Sequence, residues 1–64
     1  MNPRKIAISE LLASGFTKIR EGANHEIYFL PGTNTMIPIR RHFTDHDLLI
    51  IRQEIKRAKR QAGE

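Results

Sequence analysis

Residues 16–40 read FTKIREGANHEIYFLPGTNTMIPIR, in which three short runs rich in β-branched and aromatic residues are separated by two turn-like segments. The runs at 16–20, 25–30 and 35–40 have the length and composition of β-strands. In the first turn, residues 21–24, Gly22 and Asn24 best tolerate positive φ. Three strands joined by short turns predict an antiparallel meander. Pro38 lacks an N–H, so the third strand should lie at a sheet edge or direct that position to solvent.

A helix is predicted on each side of this meander. In the first, over residues 2–14, Asn2 fits the N-cap, Pro3 fits the first helical position, and Gly15 is placed to end the helix. In the second, over about 45–62, Thr44 fits the N-cap and Asp47 approximates a capping box. The three- and four-residue spacing predicts one apolar stripe on each helix, formed by Ile8, Leu11 and Leu12 and by Leu48, Ile51, Ile55, Ala58 and Ala62.

The element order α-β-β-β-α predicts a single α+β domain over residues 1–64 with a three-stranded antiparallel sheet. So short a chain cannot bury both faces of the sheet, so both helices are expected on one face. This is the architecture of double-stranded-RNA-binding domains, although a fold does not by itself give a function. Alternation along the second strand separates two sets of residues without showing which set meets the helices: His25, Ile27 and Phe29, and Glu26, Tyr28 and Leu30.

The composition narrows the class of protein. The 64 residues include no cysteine, which excludes a disulfide framework or a thiolate metal site. No apolar run approaches the roughly 18–20 residues that span a bilayer, and we expect neither a membrane segment nor a signal peptide but a cytoplasmic protein. Eleven Lys and Arg against seven Asp and Glu give a net charge of +4. A polyanion is the first partner to consider, although the same charge can merely keep a small protein soluble.

Several kinds of chemistry have little support. Both serines fall in the first helix and the four glycines are far apart, so neither a nucleophilic triad nor a phosphate-binding loop is expected. His42 and His46 have the i, i+4 spacing of metal ligands, with Asp45 and Asp47 beside them. Carboxylates at that position also suit the positive end of the helix dipole, and we favour this interpretation, with no metal and no other cofactor.

His25 stands where the first turn leads into the second strand, at the predicted rim of the sheet. An imidazole exchanges protons near neutral pH and can act as general acid or base in RNA cleavage. In that reaction the RNA supplies its own nucleophile, the 2′-hydroxyl, so that no metal is needed. A lone histidine at the start of a strand is also a common surface or capping residue. Alternation directs Glu26 away from His25, which makes it a poor orienting carboxylate.

The chain resembles the HicA toxin family over about residues 4–62. The resemblance rests on residues 22–28 (GANHEIY), residues 36–42 (MIPIRRH), residues 12–16 (LASGF) and a basic closing helix. Two features depart from the family: Arg40-Arg41-His42 stands where members commonly have Pro-Arg-His, and RQAG at 60–63 follows a longer helix. The resemblance implies a small toxin with a double-stranded-RNA-binding-like fold that cleaves mRNA and is neutralised by a HicB antitoxin.

The resemblance also implies roles for single residues. His25 matches the catalytic histidine, Gly22 and Asn24 match the turn before it, and His42 matches a histidine that contacts RNA or caps the last helix. Apart from the resemblance, Tyr28 is a candidate to stack on an unpaired base, although packing in the core is the favoured alternative. The cations that flank this region are expected to contact phosphates: Lys18, Arg20, Arg40 and Arg41.

These observations favour a metal-independent endoribonuclease that acts on mRNA and is held by a HicB-like antitoxin. Two alternatives remain open. One is a non-catalytic RNA-binding module that uses the same surface. The other is an interaction protein whose apolar surface is completed only by another chain.

Overall fold

The computed structural model describes residues 2–63 and contains two helices and three strands. In chain order they are α1 (Pro3–Ala13), β1 (Thr17–Glu21), β2 (His25–Phe29), β3 (Met36–Arg40) and α2 (Asp45–Gln61). This order confirms the predicted α-β-β-β-α arrangement of a small α+β fold, with bounds that differ by one residue at several ends. Neither helix in this part of the chain is long and apolar enough to cross a membrane.

The three strands form one antiparallel sheet in the order β1-β2-β3, as the short turns predict. β3 is therefore an edge strand, which is the position that its proline indicates: Pro38 lies opposite Ile27 and has no N–H to donate. β1 is the other edge strand. Its pairing with β2 is interrupted by a bulge between Lys18 and Arg20, at which the Ile19 side chain is 52% exposed.

Burial distinguishes the two faces of the sheet. Along β3, Ile37 and Ile39 are buried while Met36, Pro38 and Arg40 are exposed. We call the side of the sheet that carries Ile37 and Ile39 the core face, and the side that carries Met36, Pro38 and Arg40 the outer face. The buried residues form a cluster that combines both helices with β2, β3 and their flanks: Ala7, Leu11, Phe16, Tyr28, Leu30, Ile37, Ile39, Leu48, Ile51, Ile55 and Ala58. That both helices cover the same face of the sheet stays a prediction.

Two of the predicted stripe residues do not lie in the core. Leu12 is 54% exposed, and the buried positions of α1 are Ala7 and Leu11, which lie four residues apart on one side of the helix. In α2 the predicted stripe is buried from Leu48 to Ala58, whereas Ala62 is exposed and follows the last helical residue. Spacing alone does not fix the centre of such a stripe, because several neighbouring stripes fit the same apolar residues.

The helix ends match the predicted capping residues. The Asn2 side chain accepts hydrogen bonds from the amides of Arg4 and Lys5 at 3.0 and 3.3 Å. At α2, the Thr44 hydroxyl accepts from the Asp47 amide at 3.2 Å while the Asp47 carboxylate accepts from the Thr44 amide at 3.0 Å, a complete capping box. Gly15 follows α1 with φ of +96°, a conformation that side-chain-bearing residues rarely adopt.

Candidate functional site

The antiparallel pairing of β2 with β3 brings together two segments that are far apart in sequence. His25, at the start of β2, lies directly opposite Arg40, at the end of β3. One step further out, the Arg41 amide donates a 2.9 Å hydrogen bond to the Asn24 carbonyl, so the pairing continues past the last strand residues. The turn before β2 therefore lies beside the residues that follow β3.

An open groove of about 950 Å³ lies at this junction. Its lining consists of Asn24, His25, Pro38, Arg40, Arg41 and His42. Five of the nine residues predicted from the sequence to form the site are thus brought together: Asn24, His25, Arg40, Arg41 and His42. Pro38 was predicted only as an edge-strand residue. Its second role, as a lining residue of the groove, follows from its position in β3. Pro38 lies two residues before Arg40, so the two side chains share the outer face.

The groove is cationic. Arg40 and Arg41 are exposed, and among residues 2–63 neither guanidinium forms an ion pair. The two histidines of the groove, His25 and His42, are exposed as well. None of the described residues that line the groove is acidic. An arrangement with two unpaired guanidiniums and no carboxylate favours an anion as the occupant.

The turn that precedes His25 depends on a close backbone approach. The Gly22 amide donates a 2.8 Å hydrogen bond to the His25 carbonyl, and a Cβ atom on Gly22 would lie 3.3 Å from that same oxygen. Neither Gly22 nor Asn24 uses the positive φ that both tolerate: within residues 2–63, positive φ occurs at Gly15, Gly32 and Gly63. The turn needs glycine at position 22 for space rather than for φ.

A smaller depression adjoins the groove on the side of this turn. It is lined in part by His25, Asn24 and Arg41, which it shares with the groove, and by Arg4, Glu21 and Glu26. Arg4 connects three elements here. Its guanidinium lies 3.3 Å from the Glu26 carboxylate of β2, and its Nε donates a 3.2 Å hydrogen bond to the Arg40 carbonyl of β3. The first turn of α1 is thereby tied to both strands that carry the groove.

Glu26 is half-buried on the core side of β2, and its carboxylate has partners other than His25. Besides Arg4, it accepts a 3.0 Å hydrogen bond from the Tyr28 hydroxyl and lies 3.9 Å from the Lys18 ammonium. This agrees with the prediction that Glu26 does not orient the imidazole of His25, because the two side chains leave the strand on opposite faces.

Tyr28 is not available to RNA. Its side chain is 3% exposed within the core, opposite Ile37, so the predicted base stacking is wrong and the packing alternative holds. Burial, together with the hydrogen bond to Glu26, raises the pKa of the Tyr28 hydroxyl. The sequence of β3 indicates this placement. Ile37 and Ile39 alternate with residues suited to solvent, and the pairing of β2 with β3 puts Tyr28 on the same side of the sheet as these two isoleucines.

Two of the predicted phosphate contacts do not line the groove. Lys18 donates a 2.6 Å hydrogen bond to Glu21, which raises the pKa of its ammonium, and so its charge is already met by a carboxylate. Arg20 is exposed and pairs with Ile27, which places it on the outer face with His25 but on the other edge strand. Of the four predicted cations, the structure brings Arg40 and Arg41 to His25.

The residues near the start of α2 do not form a metal site. In the described part of the chain, no group of three or more His, Cys, Asp or Glu side chains is arranged to hold a metal ion. Asp47 instead belongs to the capping box, where the hydrogen bonds from Thr44 lower the pKa of its carboxyl. Since Thr44 is the N-cap, His42 does not cap the helix, and it lines the groove with His25.

Comparison with protein-family models, with curated proteins and with solved structures finds no match to this chain. The function of the protein is therefore inferred from the residues of the groove.

Proposed function

We propose that this protein is a HicA-like, metal-independent endoribonuclease toxin that cleaves mRNA. The observation that carries the proposal is the groove itself. In it an exposed histidine, His25, lies opposite Arg40, and among residues 2–63 Arg40 forms no ion pair and the lining contains no acidic residue. The resemblance of residues 22–28 and 36–42 to the HicA family supports the same assignment, because these two segments are the ones that form the groove.

RNA is the anion that best suits the groove. Arg40 and Arg41 are held at the end of β3, where the Arg41 amide is bonded to Asn24 and the Arg40 carbonyl to Arg4. Guanidiniums placed in this way bind phosphate oxygens and position a nucleic-acid backbone without reading its sequence. The groove is open rather than enclosed, which suits a polymer that passes through it.

His25 supplies proton transfer in the proposed reaction. The 2′-oxygen of the RNA attacks the adjacent phosphorus and the bond from phosphorus to the 5′-oxygen breaks. The products carry a 2′,3′-cyclic phosphate and a 5′-hydroxyl. The 2′-hydroxyl must lose a proton and the leaving oxygen must gain one, and an exposed imidazole at the rim of the groove is suited to exchange a proton with either oxygen.

The proposal includes a HicB-like antitoxin that covers the groove. Apolar side chains continue from the groove across the outer face of the sheet. Met36 is 59% exposed, Pro38 is exposed, and Ile27 and Phe29 are half-buried. A protein partner that places apolar residues on this strip and carboxylates against Arg40 would cover both parts of the surface. If a gene directly downstream encodes such a protein, this part of the proposal gains support.

The experiment that tests the proposed activity is an analysis of the RNA ends formed in the presence of EDTA. We expect purified protein to cut an mRNA transcript into fragments that carry 2′,3′-cyclic phosphate and 5′-hydroxyl ends, and to leave the 2′-O-methylated transcript intact. Salt-dependent RNA binding without cleavage products would instead identify the non-catalytic RNA-binding module and contradict the proposal.

A further inference from the structure

The proposed cleavage needs two proton transfers, and one imidazole cannot perform both in a single step. A histidine that removes the proton of the 2′-hydroxyl must start neutral, whereas a histidine that protonates the 5′-oxygen must start as the cation. Two separate groups are therefore required when bond formation and bond cleavage occur together. The chain contains three histidines, His25, His42 and His46.

Two of these histidines lie in the same groove. His25 enters it from the start of β2, and His42 enters it from the segment that leaves the end of β3. The hydrogen bond from the Arg41 amide to the Asn24 carbonyl joins the residues that immediately precede each histidine. His46 belongs to the first turn of α2 and is not among the residues that line the groove.

We propose that His42 is the second proton-transfer residue of RNA cleavage and acts with His25 on one phosphodiester. This inference rests on the proposed ribonuclease function. One imidazole takes the proton of the 2′-hydroxyl as the 2′-oxygen bonds to phosphorus, and the other gives its proton to the departing 5′-oxygen. The RNA leaves with a 2′,3′-cyclic phosphate, and the two imidazoles have exchanged protonation states. Proton exchange with solvent water returns each imidazole to its starting protonation state before the next turnover.

The surroundings of the two histidines suit this division of roles. Arg40 and Arg41 line the same groove as the two histidines and can hold the negatively charged phosphate that both must reach. His42 is free of a capping role, since the Thr44 side chain caps α2. The charged groups that line the groove and the adjoining depression are Arg40, Arg41, Arg4, Glu21 and Glu26, and Glu26 is bound to Arg4 and to the Tyr28 hydroxyl.

The test compares single-turnover cleavage by His25→Ala, His42→Ala and His46→Ala at saturating RNA in EDTA. We expect His42→Ala to lower the rate constant by about 100-fold or more, as removal of a general acid or base does, while His46→Ala leaves it unchanged. The wild type and His46→Ala should show a bell-shaped pH profile, and His42→Ala should lose one limb of it. Circular dichroism confirms that each variant is folded.

A second substrate identifies which histidine is the acid. A sulfur atom in place of the 5′-oxygen at the mapped cleavage site leaves as a thiolate, and thiols ionise near pH 8–9, so this leaving group needs no general acid. We expect this RNA to restore most of the rate to one of the variants His25→Ala and His42→Ala and not to the other. If the cleavage rate is restored in His42→Ala, His42 is the general acid. If it is restored in His25→Ala, His25 is the general acid and His42 is the general base.

The outcomes separate this inference from the proposed function. Failure of the wild type to cleave RNA overturns both. If the wild type cleaves and His25→Ala does not, but His42→Ala keeps its rate at saturating RNA and both pH limbs, the inference about His42 is wrong and the ribonuclease assignment stands. A His42→Ala defect confined to RNA affinity, with no change at saturation, also overturns the inference, because it marks a binding residue.

Discussion

His25 and Arg40 lie directly opposite each other in the pairing of β2 with β3. Opposed residues in an antiparallel ladder have Cα atoms roughly 4.5–5.5 Å apart, and their side chains leave the sheet on the same face. A phosphate bound by the guanidinium is therefore within reach of the imidazole. Arg40 forms no ion pair among residues 2–63, so binding an anion does not require an existing pair to break.

Arg40→Gln should weaken RNA binding severalfold and reduce the slope of log K against log salt concentration by roughly 0.7 for single-stranded RNA. The physical reason is the loss of one phosphate contact and of the counterion that it releases. Arg57→Gln, which removes an exposed arginine of α2 outside the groove, is the matched control and should leave affinity and slope unchanged. Equal effects of the two substitutions in a fluorescence-anisotropy salt titration would place the RNA elsewhere.

Gly22→Ala should slow cleavage by up to about tenfold, because the new Cβ forces a small displacement of the His25 backbone and misplaces its imidazole. The contact responsible is the 3.3 Å approach of that Cβ to the His25 carbonyl. Gly32→Ala provides the comparison, since Gly32 has φ of +90° with open space around it and does not line the groove. It should destabilise the protein by about 1 kcal/mol without changing the cleavage rate. Urea unfolding measures the stability of each variant, and single-turnover kinetics measure its cleavage rate. An unchanged rate in Gly22→Ala would contradict the prediction.

Tyr28→Leu should lower the free energy of unfolding by about 2 kcal/mol, because it removes a buried ring and the hydroxyl that binds Glu26. The RNA affinity of the folded variant should not change. Stacking on a base is worth about 1–3 kcal/mol, so a stacking role would appear as a loss of affinity of at least about fivefold. Urea denaturation and RNA titration at a temperature where the variant is folded distinguish these results.

Glu10→Gln should destabilise the protein slightly at pH 7 and not at all in acid. Arg52 donates hydrogen bonds of 3.0 and 2.7 Å to the Glu10 carboxylate, joining α2 to α1, and these bonds lower its pKa below the ordinary value of 4.5. A carboxyl whose pKa is lower in the folded state stabilises the fold above its unfolded pKa and loses this effect as the pH falls through its folded pKa.

The difference in Tm between wild type and Glu10→Gln should therefore be present near neutral pH and shrink steadily as the pH drops below 4.5. The pair is largely exposed, so the difference is small at every pH. A difference in Tm that grows in acid would contradict the assigned direction of the pKa change.

Local features of the sequence predicted most of the fold. Asn2, Pro3 and Thr44 mark helix starts, because capping depends on residues within three positions of one another. The turn segments predicted an antiparallel sheet, and Pro38 predicted an edge strand, since a missing N–H is a property of one residue.

Features that depend on tertiary packing were predicted less well. Tyr28 and His25 occupy opposite faces of β2, and only the pairing with β3 shows which face is buried. Leu12 fits an apolar stripe on α1 as well as Ala7 does, yet Ala7 is the residue that is buried. In the site, the segment that resembles HicA includes Arg40, Arg41 and His42, and all three line the groove. The hydrogen bond of Lys18 to Glu21 was not predicted, because it depends on the bulge in β1.

In the proposed reaction His25 performs proton transfer without a metal, and the decisive measurement is the single-turnover cleavage rate of His25→Ala in EDTA. Loss of a general acid or base costs about 100- to 10,000-fold in rate. We predict a loss in this range with the fold and RNA affinity retained, since the His25 side chain is exposed and outside the core. Cleavage by His25→Ala at the wild-type rate would show that His25 does not perform this proton transfer.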